Sequence, residues 1–151
     1  MKKPSFRTAA SADADRVLTL IGEYYAYDGI AFDAAGIAPA LRELLTDDSL
    51  GRVLLFELGG ETAGYLIVTF AFDLEYGGRM AVITDFYLRE PFRRQGMGTL
   101  AMKHLAGLCP SLGVRALELQ VERDNPEARS FYSKQDFREL ERIPMNRRLP
   151  G

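Results

Sequence analysis

Arg93 and Arg94 stand just ahead of Gly96-Met97-Gly98, and an amphipathic run follows the second glycine. Two guanidinium groups beside bare backbone, at the mouth of a helix, suit an anion. The first N–H groups of a helix have no intrahelical partner and point at whatever lies there. Glycine at 96 and 98 lets a phosphate approach without a Cβ in the way. An arginine fork matches phosphate oxygens in paired geometry. The implied chemistry is that of a phosphate-bearing ligand. Other nucleophilic or metal-binding groups are scarce. Cys109 is the only cysteine and His104 the only histidine, which excludes an internal disulfide and a multi-cysteine zinc site. His104 falls on an apolar helical stripe and reads as packing; Cys109, near a helix end, reads as a small hydrophobe.

Several loops bind phosphate. The Walker pattern G-x-x-x-x-G-K-[ST] is absent. Residues 96–101 do satisfy the dinucleotide pattern G-x-G-x-x-[GA], with Glu118, Glu122 and Asp124 near the usual acidic spacing. That fingerprint needs its first glycine in the turn directly after a strand, and here residues 89–95 intervene. Which loop this is depends on the elements around it.

Residues 5–8 read as a strand. Ser11 is the expected N-cap of a first helix, with Asp13 and Asp15 in its first turn. Val17, Leu20, Ile21, Tyr24 and Tyr25 recur on one helical face, and Gly29 ends the run. A second helix is expected over about 33–45, interrupted or started near Pro39. The period then changes. Residues 52–58, the Gly59-Gly60 turn and residues 62–72 read as a hairpin, and Gly77-Gly78 leads into a third antiparallel strand, 80–88. After Gly96, Met97, Leu100, Ala101, His104, Leu105 and Leu108 line one helical face, until Pro110 and Gly113 stop it. Residues 114–121 read as a strand. Asn125 then caps a helix, with Pro126 at its first position and Glu127 beside the positive end of its dipole. A closing strand pair is expected around 137–143 and 145–149. The order predicts an α/β fold, a mixed sheet with helices on its faces.

At 151 residues the chain is sized for a single domain, 1–151. Its 47% hydrophobic and 26% charged residues are those of a soluble globular protein. A formal net charge of -2 gives no global field for nucleic acid. No apolar run approaches the roughly 20 residues that span a bilayer, and residues 1–15 have two lysines but no apolar core of a signal peptide. No membrane partner and a cytoplasmic location are the expectations.

Two spaced motifs add to this reading. Arg93-x-x-Gly96-x-Gly98 fits [Q/R]-x-x-G-x-[G/A], and residues 125–137, NPEARSFYSKQDF, fit N-x-x-A-x-x-F-Y-x-K-x-G-F through Asn125, Ala128, Phe131, Tyr132, Lys134 and Phe137. On both, the chain resembles the GNAT superfamily of acetyl-CoA-dependent N-acetyltransferases, by motif over 82–137 and by element order over nearly its whole length. Asp136 stands where the family has glycine; aspartate tolerates the left-handed conformation better than most residues. The resemblance implies a mostly antiparallel mixed sheet of six to seven strands with about four helices, splayed where acetyl-CoA binds, and no metal. It implies cofactor contacts from Phe86, Tyr87 and Leu88 on the strand before the loop. The loop itself would contribute Arg93, Arg94, Gln95, Gly96, Met97, Gly98 and Thr99, and the second motif Asn125, Ala128, Phe131, Tyr132 and Lys134. An amine acceptor is the implied partner, and there is room for a homodimer.

Amide formation from a thioester needs a neutral amine, a stabilised oxyanion and a proton for the departing thiolate. Holding a lysine-like amine of pKa near 10.4 neutral at pH 7 costs about 4.6 kcal/mol. A base or a desolvating pocket must meet that cost. A backbone N–H near Leu88 is suited to polarise the thioester carbonyl. Tyr132 matches the family tyrosine that protonates the thiolate. Many relatives carry glutamate at the position of Thr84, which has no carboxylate to offer. Asp85 is the candidate base, facing the opposite side if the strand alternates regularly, unless a bulge turns it. Glu23, Glu75 and a water-mediated route stand behind it. By resemblance the acceptor pocket draws on Glu23, Tyr27 and Asp28 from one segment, Glu75 and Tyr76 from another, and Thr84. These make an acidic, aromatic lining for a small cationic amine; solvated helix ends with core aromatics are the other reading. The expected activity is direct acetyl transfer to a primary amine. A non-catalytic acyl-CoA-binding or sensory domain, favoured by the missing acid at Thr84, and a dinucleotide-binding domain are the alternatives.

Overall fold

The computed structural model describes residues 2–151, which fall into two compact units divided between Gln120 and Val121. In the first unit the two-residue rhythm gives strands β1 (Pro4–Thr8), β2 (Gly51–Leu58), β3 (Glu61–Asp73), β4 (Gly78–Leu88) and β5 (Leu117–Leu119). The helical stripes give α1 (Ala14–Asp28), α2 (Ala34–Thr46) and α3 (Met97–Leu112). Sheet order follows chain order, β1-β2-β3-β4-β5. The first four strands are antiparallel, and α3 carries the chain over to β5, which joins β4 in parallel. The hairpins after β2 and β3 fall at the glycine pairs that predict them.

One face of the sheet is covered by α1 and α2. Val17, Leu20 and Ile21 of α1 and Leu41 of α2 pack on Val53, Leu55, Tyr65, Ile67 and Tyr87. Each fully buried aliphatic side chain here contributes about 1.5–3 kcal/mol relative to exposure. The opposite face presents Phe6, Phe56 and Phe86 in edge-to-face contact, with His104 of α3 stacked on Phe6 at 5.4 Å. His104 is thus a packing residue. Gly64 lies opposite Leu88, where a Cβ would stand 2.1 Å from the Tyr87 carbonyl oxygen. Only glycine lets β3 and β4 approach that closely.

Three expectations are corrected in this unit. Ser11 is no N-cap: residues Ser11–Asp13 form a short 3-10 turn ahead of α1. The Asp13 carboxylate accepts from the Ala10 N–H at 2.8 Å and from both terminal nitrogens of Arg7, which fixes the turn one step later. These bonds hold the Asp13 carboxyl down at about 2. Pro110 lies within the last turn of α3 rather than ending it; Gly113, at φ 71°, makes the stop. The last strand is shorter than the expected 114–121, because the Val114 N–H bonds back to Cys109 in the helix cap and pairing ends at Leu119. Among the described residues no helix is long and apolar enough to cross a membrane.

The second unit contains α4 (Pro126–Lys134). Asn125 caps it as expected, its side chain accepting from the Ala128 N–H at 3.2 Å. The end of α4 is a Schellman turn: Phe137 N–H reaches the Tyr132 carbonyl, Asp136 N–H reaches Ser133, and the Tyr132 and Phe137 rings meet at 5.7 Å. Asp136 takes the left-handed residue of that turn at φ 67°. Asp136→Gly is therefore expected to stabilise the protein by about 0.5–1 kcal/mol, and Asp136→Ala to destabilise it similarly. Urea midpoints at unchanged slope measure both.

The closing strand pair is absent, so the sheet has five strands rather than six to seven. Residues 137–149 run as irregular chain with Leu140, Ile143, Met145 and Leu149 exposed. Arg138, Glu139, Glu141 and Arg142 put charge on both faces of the supposed first strand, and Pro144 removes a ladder donor between the two. Neither face is apolar enough to bury.

Candidate active site

The ladder between β3 and β4 slips by one residue. Ile67 opposes Asp85 but Val68 opposes Ile83, leaving Thr84 as the extra residue of a β-bulge. Regular alternation would send Thr84 and Asp85 to opposite faces. The bulge brings both to one cavity, which corrects the expectation that Asp85 looks away. Thr84 is exposed at its edge, while Asp85 is only 8% exposed.

Burial pushes the Asp85 carboxyl above its ordinary range, against hydrogen bonds from Tyr65 and Thr84 that favour the carboxylate. The Tyr65 hydroxyl donates to Asp85 Oδ2 at 2.7 Å. Burial first, and the Asp85 charge second, hold the Tyr65 phenol far above its usual value, so it stays a donor.

The cavity over Asp85 measures about 280 Å³. β3 lends it Ile67 and Thr69, and α1 lends Ile21 and Tyr25. Its remaining wall is α2, through Gly36, Ile37, Ala40, Leu41 and Leu44. Beside the bulge, β5 pairs with β4 only from Ala81 to Ile83, so the ladder on that side ends one residue before Thr84.

Past β4, Glu90–Phe92 makes one 3-10 turn, Arg94 adopts a left-handed φ of 61°, and Gly96 caps α3 at φ 83°. The Gln95 side-chain amide braces the loop on the Pro91 carbonyl at 2.6 Å. Nothing lies within 4 Å of where a Gly96 Cβ would be, so the helix mouth is open. The helical ladder starts with Leu100 N–H on Gly96, which leaves the Met97 and Gly98 N–H groups for an anion. Thr99 completes that first turn. Arg93, expected to reach a phosphate, is engaged by its own chain. Its Nε donates to the Leu88 carbonyl at 2.7 Å, and its guanidinium lies 4.4 Å from the Tyr27 ring centre and 5.7 Å from that of Tyr87. Arg93 therefore ties the loop to β4 and to the end of α1.

The carboxylates expected around the acceptor are not gathered in the cavity; of the acceptor residues named from the sequence, only Thr84 lines it. Glu23 is paired with Arg89 through two hydrogen bonds of 3.0 and 2.8 Å. Asp28 is exposed at the end of α1 and Tyr27 carries Arg93. Glu75 and Tyr76 sit in the 3-10 turn after β3, where Tyr76 donates to Glu118 at 2.8 Å. The cavity wall on α2 escapes sequence reasoning. Ile37, Leu41 and Leu44 look like ordinary core positions, and Gly36 and Ala40 carry no chemical signal. Asp85 is found by residue type, but its direction needs the bulge.

In the second unit Tyr132 packs between Phe131 at 5.3 Å and Phe137 at 5.7 Å. Burial pushes its phenol up to about 12. Lys134 ends α4, and Asn125 and Ala128 are joined in its cap.

Known proteins match this arrangement. The model of the Acetyltransferase (GNAT) family fits residues 17–137. The chain is 26% identical over 137 residues to thialysine N-epsilon-acetyltransferase of Caenorhabditis elegans, covering 91% of this chain and 84% of that one. An integron cassette protein from the mobile metagenome of Cole Harbour Salt Marsh is similar in structure, with a TM-score of 0.85, 32% identity and coverage of 97% and 91%. An aminoglycoside N-acetyltransferase solved with CoA has the same fold at 13% identity, with a TM-score of 0.83 over 98% of this chain and 96% of the other. With the open helix mouth, the β4 bulge and the buried carboxylate all inside the matched span, the chain belongs to the GNAT acetyltransferase family.

Proposed function

We propose that this protein transfers the acetyl group of acetyl-CoA directly to a primary amine. The observation that carries this reading is the bulge in β4, which sets a buried carboxylate into a cavity just past the end of the β4–β5 ladder. It also weakens the non-catalytic alternative, since the acid absent from Thr84 is supplied by the next residue. The C. elegans relative, whose name specifies an amine acceptor, supports the acceptor class.

The residues present fit a CoA thioester. The open Gly96 position and the leading N–H groups of α3 suit a diphosphate. Acetyl-CoA would supply the acetyl group and the thiolate leaving group. Asp85 takes a proton from the acceptor ammonium, and its raised basicity makes it better suited to that work than an ordinary aspartate. The Leu88 N–H is assigned to the thioester carbonyl and Tyr132 to the departing sulfur. There is no paired cysteine and histidine for a covalent route.

The test is acetyl-CoA-dependent thiol release across an amine panel, with calorimetry of acetyl-CoA against dephosphorylated pantetheine. Tighter binding of acetyl-CoA and amine-dependent release are expected. Equal affinity for the two ligands removes the loop assignment, and tight binding without release by any amine leaves a binding domain.

Tyr65→Phe offers a finer check on the base. Losing a donor to a carboxylate disfavours its charged form, so the Asp85 pKa rises. A hydrogen bond to a charged group is worth about 1.5–3 kcal/mol, or roughly one to two pH units. The acid limb of the kcat/KM profile is expected to move to higher pH by that amount. An unmoved limb places the base elsewhere.

A further inference from the structure

The cavity over Asp85 carries information about the acceptor that the family match does not. Asp85 is the only carboxylate in its lining; its other polar side chains are the hydroxyls of Tyr25, Thr69 and Thr84. The α2 wall is hydrocarbon. One ammonium is matched by one carboxylate, but a second ammonium inside would meet apolar surface and no counter-charge, which is costly. Gly36 and Ala40 stand one helical turn apart on α2, both exposed and both lining the cavity. The Asp33 carboxylate lies over Gly36, where a Cβ would stand 2.8 Å from its Oδ2, so that charge is at the opening rather than in the lining.

Building on the acetyltransferase reading, we propose that this cavity takes the acceptor as a primary amine on an unbranched apolar stem with no second positive charge along it. Asp85 receives the amine, the α2 hydrocarbon covers the stem, and Gly36 and Ala40 set the width of the opening. The stem gains by leaving water, at about 0.8 kcal/mol per buried methylene. One proton of the ammonium passes to the Asp85 carboxylate, the new N–C bond forms at the acetyl carbon, and the C–S bond breaks to leave the thiolate. The second N–H proton, shed to solvent, balances the one the thiolate takes up.

Butylamine, pentylamine and hexylamine should be compared with the α,ω-diamines of equal length, by thiol release and product mass. Each monoamine is expected to exceed its diamine by at least tenfold in kcat/KM, with activity rising along the monoamine series. Ala40→Glu adds a carboxylate to the cavity wall itself and is expected to cut the monoamine-to-diamine ratio at least tenfold. Ala40→Phe narrows the opening and should depress hexylamine more than methylamine. Ala40 is exposed, so both variants should fold, and melting curves verify it. Diamines preferred by the parent, no dependence on stem length, or an unchanged ratio in Ala40→Glu would each overturn the proposal while amine acetylation stands. No release with any amine, despite acetyl-CoA binding, would sink the transferase reading and this one with it.

Discussion

Asp85→Asn is expected to lower kcat by roughly 10²–10⁴-fold, the usual contribution of a general base, without lowering the melting temperature. The amide keeps an oxygen where the Tyr65 hydroxyl donates, so the local hydrogen bond survives. What disappears is a buried charge. The folded-state pKa of Asp85 lies above its unfolded value because burial penalises the carboxylate. Its contribution to stability is therefore fully present below the unfolded pKa and is lost as pH rises through the folded one. The variant does not titrate, so its melting temperature relative to the parent should climb as pH rises from about 4 towards neutrality. A variant that is slow and also unstable at pH 8 would make Asp85 a structural residue. One that is stable and fast would return the base to water or to another carboxylate.

Tyr132→Phe is expected to reduce turnover about 10²-fold while acetyl-CoA binding stays near the parent value. The ring contacts with Phe131 and Phe137 survive the change, so α4 and its cap should persist. Loss of binding together with turnover would point to a packing role, and unchanged turnover would mean that solvent protonates the thiolate. The phenol's position at about 12 sharpens this test. A thiol ordinarily titrates near 8.5, so proton transfer from such a phenol runs uphill by about 5 kcal/mol unless the thiolate is desolvated too. Burial raises thiolate basicity by the same physics that raised the phenol, and the two must be matched. Since Tyr132 keeps its proton up to about pH 10, the variant's pH–rate profile should fall in height without changing shape below that.

Most helices and the hairpins were legible because local signals agreed with the tertiary result. Glycine pairs sit at the β2–β3 and β3–β4 turns, and Val17, Leu20 and Ile21 form a buried face of α1. The Asn125 cap and the left-handed Asp136 could be read from residue type alone. Failures came where a non-local partner decided the outcome. Arg7 competes for Asp13 and so moves the start of α1. Residues 137–149 alternate just enough to suggest strands, yet carry charge on both faces. A bulge has no residue signature in Ile83-Thr84-Asp85, so the direction of the candidate base was invisible in one dimension. Glu23 and Arg93 were found as charged residues near the site, but their partners, Arg89 and the Leu88 carbonyl, had to come from the fold.

The pairing of β1 sets an order of events during synthesis. Leu58 and Glu61 close their hairpin from neighbouring positions, whereas Thr8 pairs with Leu54 and Pro4 with Leu58. The first strand made must therefore wait for α1, α2 and β2 to emerge before it has a ladder to join. Closing so long a loop costs more entropy than closing a two-residue turn, so the β2–β3–β4 meander is the cheaper nucleus. Until then the nascent segment is a short edge strand exposed to other chains. Pro4, which cannot donate to a ladder, and Arg7, which carries charge along the edge, make it a poor partner for them. The sheet is finished, in this sense, by its own beginning.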